Sequence, residues 1–99
     1  MNITTSQQNG WTEMKVEGRL DAITSEKLFE AVCDCAAKGN KDVRIDASAV
    51  DYISSAGLRA MLQSQRKLAS EGGSFSVAKA SDFVSRTLAM SGLDVLIRK

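Results

Sequence analysis

The chain has no histidine, no proline, only two cysteines, and one Trp, one Tyr and three Phe among its 99 residues. Without histidine, Ser-His-Asp and Cys-His nucleophilic sites are excluded, as is any imidazole general base. Cys33 and Cys35 sit on a helical pattern pointing in different directions. With no third thiol and no imidazole they form no zinc set, and they read as small packing residues. The few aromatics give little stacking surface for bases, and 13 basic against 12 acidic residues leave a net charge of +1. That balance carries no electrostatic footprint for nucleic acid. No run approaches the roughly 18 apolar residues that a bilayer span needs. Met1–Thr5 lacks the basic and apolar regions of a signal peptide. The expectation is a cytoplasmic protein with no nucleic-acid partner, no membrane partner, no metal and no cofactor. The missing proline carries no functional meaning.

What is present is a 43% hydrophobic chain, enough for one core and one domain over residues 1–99. Asn9-Gly10 signals a hairpin after a first strand at residues 2–8. Thr12, Met14, Val16, Gly18 and Leu20 then alternate with polar residues, the period of a half-buried strand. The pattern turns helical through Leu28, Phe29, Val32, Cys35 and Ala36, with Thr24 as the expected N-cap and Ile23 stapled to Leu28. A short strand at residues 43–47 precedes a central helix carrying Leu58, Met61, Leu62, Gln65, Leu68 and Ala69 on one face. A strand at 74–77, a helix capped by Ser81, and a final apolar strand at 95–97 complete the order β-β-α-β-α-β-α-β. That order predicts an α/β fold with a mixed, mostly parallel sheet and its helices packed on one face.

The chemistry concentrates in Ile53-Ser54-Ser55-Ala56-Gly57-Leu58-Arg59, where the chain leaves a strand for the central helix. A serine there serves as a cap, a nucleophile or a phosphate acceptor. With Ser54 as N-cap its hydroxyl accepts from the N–H of Ala56 or Gly57, and Ile53 and Leu58 fall at the staple positions. Ser55 is then at N1 with a side chain the cap does not need. Gly57 in the first turn costs about 1 kcal/mol against alanine, a cost consistent with close approach by another molecule's backbone. The Gly-x-Ser-x-Gly elbow and the Gly-x-x-x-x-Gly-Lys phosphate loop are both absent. An ordinary capped helix start and a modification site both fit these residues.

Tyr52-Ile53-Ser54-Ser55-Ala56-Gly57-Leu58-Arg59 resembles the signature of the STAS domain, in particular that of the bacterial anti-sigma factor antagonists. Gly18-Arg19-Leu20-Asp21, Val43-Arg44-Ile45-Asp46 and Ser91-Gly92-Leu93-Asp94 resemble further segments of that family, in the same order and over nearly the whole chain. The resemblance implies a STAS-like fold and a binding protein rather than an enzyme. It implies partner switching: the unphosphorylated form binds an anti-sigma factor with serine kinase activity, phosphorylation of Ser55 breaks the contact, and a serine phosphatase restores it. The implied partner surface is Asp21, Ser54, Ser55, Ala56, Gly57 and Arg59, with Asp21 orienting Ser55 or meeting the kinase and Arg59 able to fold back on the phosphate. Ser54 stands where the family often has Asp, an exchange between comparable N-caps. The alternative within the same fold is a non-phosphorylated STAS subunit of a lipid-transport or sensory complex.

Overall fold

A computed structural model of the protein describes residues 2–97. Strand β1 (Asn2–Gln7) runs antiparallel to β2 (Thr12–Leu20). The turn between them closes with the Gln8 N–H donating to the Trp11 carbonyl at 2.8 Å, and Gly10 takes the left-handed φ of 85° that such a turn needs. Helix α1 (Ala22–Ala37) crosses to β3 (Asp42–Ile53), which lies parallel to β2. Helix α2 (Ser55–Ser70) crosses in turn to β4 (Ser74–Ala80), parallel to β3, and α3 (Asp82–Met90) follows. The spatial order β1-β2-β3-β4 repeats the chain order. Both parallel crossovers therefore step the same way across the sheet, and right-handed connections put α1 and α2 on one face. Met14, Val16, Val43, Ile45 and Val77 point into that face and are fully buried. Glu13, Lys15 and Arg44 point away from it, and Arg44 stacks on the Trp11 ring at 4.3 Å.

The third strand is longer than its sequence pattern suggests, because its alternation changes phase twice. Lys15 pairs with Asp46 but Glu17 with Ala49, and Gly18 pairs with Val50 but Arg19 with Tyr52. At each shift β3 spends one residue more than β2, a β-bulge. Inward positions consequently move from Val43 and Ile45 to Val50 and then to Ile53. Asp46 anchors the first shift, its Oδ1 accepting from the Ser48 N–H at 3.0 Å and the Ser48 hydroxyl at 2.6 Å. Burial pushes the Asp46 carboxyl upward. The Ser48 bonds together with Lys79 and Lys15 outweigh that and hold it below the usual range.

Three other expectations need correction. The face that α2 buries is Gly57, Ala60, Met61, Ser64 and Leu68, so Ser64, not Gln65, is its inward polar residue. Ser64 is tolerated there because its hydroxyl donates to the Ala60 carbonyl at 2.7 Å. Ala69 is exposed. The run at 95–97 is not a strand: Asp94–Leu96 is one turn of 3₁₀ helix, and Ile97 pairs with the sheet through an isolated bridge to Val77. Leu96 enters the core while Val95 stays 83% exposed. Cys35 is buried and its thiol is pushed up by that burial, as suits a packing residue.

Gly73 joins α2 to β4, with its N–H donating to the Leu68 carbonyl. A methyl there would collide with the Lys41 carbonyl, which is already held by the Ser74 N–H, whereas Gly72 has open space and only a φ of 80°. Gly72→Ala is expected to cost about 1–2 kcal/mol for its left-handed backbone. Gly73→Ala should cost more, and urea denaturation of the two variants checks that ranking.

Candidate functional site

Strands β2 and β3 end side by side, Leu20 opposite Ile53, and each hands the chain to a helix. Ser54 is the N-cap of α2, its Oγ accepting from the Gly57 N–H at 3.3 Å, as expected. The same hydroxyl donates to the Leu20 carbonyl at 2.9 Å, and the Ser54 N–H donates to that carbonyl at 2.8 Å. One side chain thus caps its own helix and locks it to the neighbouring strand end. Ser81 does the same at α3, accepting from the Val84 N–H and donating to the Val50 carbonyl.

The cap of α1 is Asp21, not Thr24. Asp21 Oδ1 accepts from the Ile23 N–H at 3.1 Å and the Thr24 N–H at 3.0 Å, and the Thr24 hydroxyl receives the Asp21 N–H at 2.9 Å. This is a capping box, with Thr24 filling the N3 position. Helix α1 therefore begins three residues earlier than Thr24 as cap would allow. Ile23 falls outside any staple and is 71% exposed. The backbone and hydroxyl of Thr24 hold the Asp21 carboxyl below its ordinary range, with smaller help from Ile23 and Arg19. Among the described residues no hydrogen bond joins Asp21 to Ser55. Asp21 sits at the site through the Leu20 carbonyl just before it.

Ser55 is exposed at N1 of α2, and its hydroxyl has no hydrogen bond among the described residues. Gly57 lies beneath, buried, and the close approach it permits is internal. A Cβ on it would lie 2.7 Å from the Ile53 side chain and 3.1 Å from the Leu20 carbonyl oxygen. Glycine is required here by the chain's own strand end, which corrects the reading that an outside backbone accounts for it. Ala56 and the exposed Arg59 line a cavity of about 420 Å³ between α1 and α2.

A further group escaped the sequence. Arg19 stands over the Tyr52 ring at 4.2 Å, and Tyr52 meets Phe83 of α3 with ring centroids 5.9 Å apart. Arg19 and Tyr52 are register partners on the outward side of the strand ends, so this stack flanks the serine turn. The period-two pattern of β2 places Arg19 on that side, but Tyr52 lies beyond the strand read at residues 43–47, and no local pattern gives the cross-strand pairing.

A four-stranded mixed sheet with a capped, serine-bearing helix start beside its second parallel strand end defines a STAS-type domain. A family model described as "Mlab, STAS domain" matches residues 3–98, and the chain belongs to that family. It is 28% identical over 98 residues to the anti-sigma-F factor antagonist RsfB of Mycobacterium tuberculosis, covering 99% of this chain and 80% of that one. It is 28% identical over 97 residues to the anti-sigma-B factor antagonist of Staphylococcus aureus, covering 98% of this chain and 90% of that one. Among solved structures, SpoIIAA in its unphosphorylated form superposes with a TM-score of 0.83 at 16% identity, covering 98% of this chain and 86% of that one. Its phosphorylated form, from Bacillus, superposes at 0.75 and 15% identity, covering 98% and 89%. These structural likenesses speak to the fold.

Two measurements test the site's construction. Helix propensity alone would favour Gly57→Ala by about 1 kcal/mol. Overlap with a carbonyl pinned by two hydrogen bonds should reverse the sign, for a net loss of about 1–2 kcal/mol in chemical denaturation. For Asp21, the folded carboxyl titrates below its unfolded value of about 3.9. Its contribution is therefore complete above that pH and disappears as pH falls through the folded value. Asp21→Asn keeps a good cap without the titration. Its melting temperature should fall less than the wild type's between about pH 5 and pH 2.

Proposed function

We propose that this chain is an anti-sigma factor antagonist that works by partner switching, with Ser55 as the switch. The observation that carries the reading is the division of labour at the turn. Ser54 spends its hydroxyl on the α2 cap and the Leu20 carbonyl, while Ser55 stands exposed one residue on with its hydroxyl free. The names borne by the relatives support the sigma-factor side of the reading. The existence of SpoIIAA in phosphorylated and unphosphorylated forms supports the phosphate side.

In this reading the unphosphorylated chain binds an anti-sigma factor that is also a serine kinase. That kinase transfers a phosphoryl group to Ser55 Oγ, and a serine phosphatase removes it. The phosphate adds about −1.5 to −2 charges and three acceptor oxygens. At N1 of a 16-residue helix it meets unpaired N–H groups and the positive end of the dipole, so the fold tolerates it. Arg59, one turn on and exposed, is placed to fold back toward it. The cost falls on the partner, which would have to desolvate a dianion in the contact. Every ~1.4 kcal/mol is tenfold in affinity, so a penalty of a few kcal/mol is a switch.

A second reading, a non-phosphorylated STAS subunit of a lipid-transport or sensory complex, is supported by the family model that matches, which is described as "Mlab, STAS domain". The two separate cleanly. Ser55→Asp should keep the wild-type circular dichroism and melting behaviour but lose roughly 100-fold in affinity for the anti-sigma factor encoded in the same genome. Ser55→Ala should bind like wild type and resist labelling by ATP and that kinase. Equal binding by both variants, or labelling at Ser54, would overturn the switch.

A further inference from the structure

The cavity between α1 and α2 opens directly beside the serine turn and is built of two unlike walls. On α1, Glu26 and Glu30 line it one turn apart. On α2, Arg59 and Gln63 line the other side, with Phe29 and Ala60 between. Like charges at this spacing destabilise a helix, and neither glutamate belongs to any ion pair among the described residues. Arg59 does not bridge the gap to them. Two carboxylates against one guanidinium leave the cavity with a net charge of −1.

Ser25 supplies an independent observation. It is 3% exposed and lines the same cavity, and its Oγ has no hydrogen-bond partner. An enclosed hydroxyl without a partner has given up water and gained nothing in exchange. It is an unpaired buried polar group in the lining of this cavity, available to a donor bound there.

We infer that this cavity receives an arginine side chain of the anti-sigma partner, docked between α1 and α2 next to Ser55. A guanidinium presents five donors in a planar fork, suited to two carboxylates one turn apart and to a serine oxygen. Its stem would lie against Phe29 and Ala60, and one positive charge neutralises the cavity. Arg59 on the opposite wall repels the incoming cation and steers it to the α1 side. The inference rests on the partner-switching reading for the identity of the partner. The preference for a guanidinium stands on the cavity alone.

Two arms keep these separable. In the first, ¹⁵N-labelled full-length protein is titrated with N-acetyl-arginine amide, and with N-acetyl-norleucine amide as the neutral control. Saturable amide shifts in the millimolar range at Ser25, Glu26 and Ala60 are expected with the arginine probe only, and should vanish in the E26Q/E30Q double variant. Ser25→Ala should raise the melting temperature yet weaken the probe. Absent shifts, equal shifts with the neutral probe, or shifts that survive E26Q/E30Q would overturn the inference. In the second arm, E26Q/E30Q should bind the purified anti-sigma factor about tenfold more weakly than wild type, with a flatter salt dependence. Equal affinity for the double variant and wild type would overturn the inference while leaving the Ser55 switch standing. Failure of wild type to bind that protein at all would overturn the switch and the proposed partner together.

Discussion

The carbonyl oxygen of Leu20 is the point on which the site depends. It receives both the N–H and the hydroxyl of Ser54, and so ties the end of β2 to the start of α2 across 34 residues of chain. Everything near it is then constrained. Gly57 must be glycine because the pinned carbonyl and Ile53 occupy the space a side chain would need. Asp21, next in the chain, starts α1 at the same edge, so two helix N-termini share one end of the sheet. The α1 end carries the Asp21 carboxylate as its cap, whereas Ser55 opens an α2 end with no acidic side chain in its first turn.

On the proposed switch, this arrangement would separate folding from regulation. The groups that hold the turn together, Leu20, Ser54 and Gly57, are buried or half-buried and fully engaged. Ser55 is outside that network. A change of about two charges on its oxygen breaks no internal bond, so its free energy is available for a partner to sense. Modification of the capping hydroxyl of Ser54 would instead remove the α2 cap and the strand tie together.

The hairpin, β2, the extent of α2 and the Ser54 cap were legible in the residues because each follows from a local rule: alternation, helical periodicity or a side chain reaching its own next turn. Ser55 as the free hydroxyl followed by elimination. Its meaning did not, since capping physics fits a plain helix start equally well, and the family resemblance made that choice. What escaped was set by distant contacts. The second half of β3 was hidden by its bulges, because a pattern that changes phase no longer looks like alternation. Thr24 resembled a cap, but it is the reciprocal member of a box led by Asp21, and both residue types suit either place. Ser64 carries no apolar signal in the sequence, yet it is buried because its hydroxyl is satisfied within its own helix. The last three apolar residues bury only Leu96, and so a 3₁₀ turn serves them better than a strand.

The two bulges of β3 also act as a parity check on the serine turn. Each extra residue exchanges inward for outward along the rest of the strand, and two of them restore the original sense by Ile53. A bulge absorbs one residue and leaves the pairing beyond it intact, so a lineage that lost one residue between Asp46 and Tyr52 together with one bulge would keep Ile53 opposite Leu20. Losing one residue with both bulges kept would instead turn Ile53 to solvent and Ser54 away from the Leu20 carbonyl. The serine turn is therefore inherited as a match between residue count and bulge count rather than as a composition.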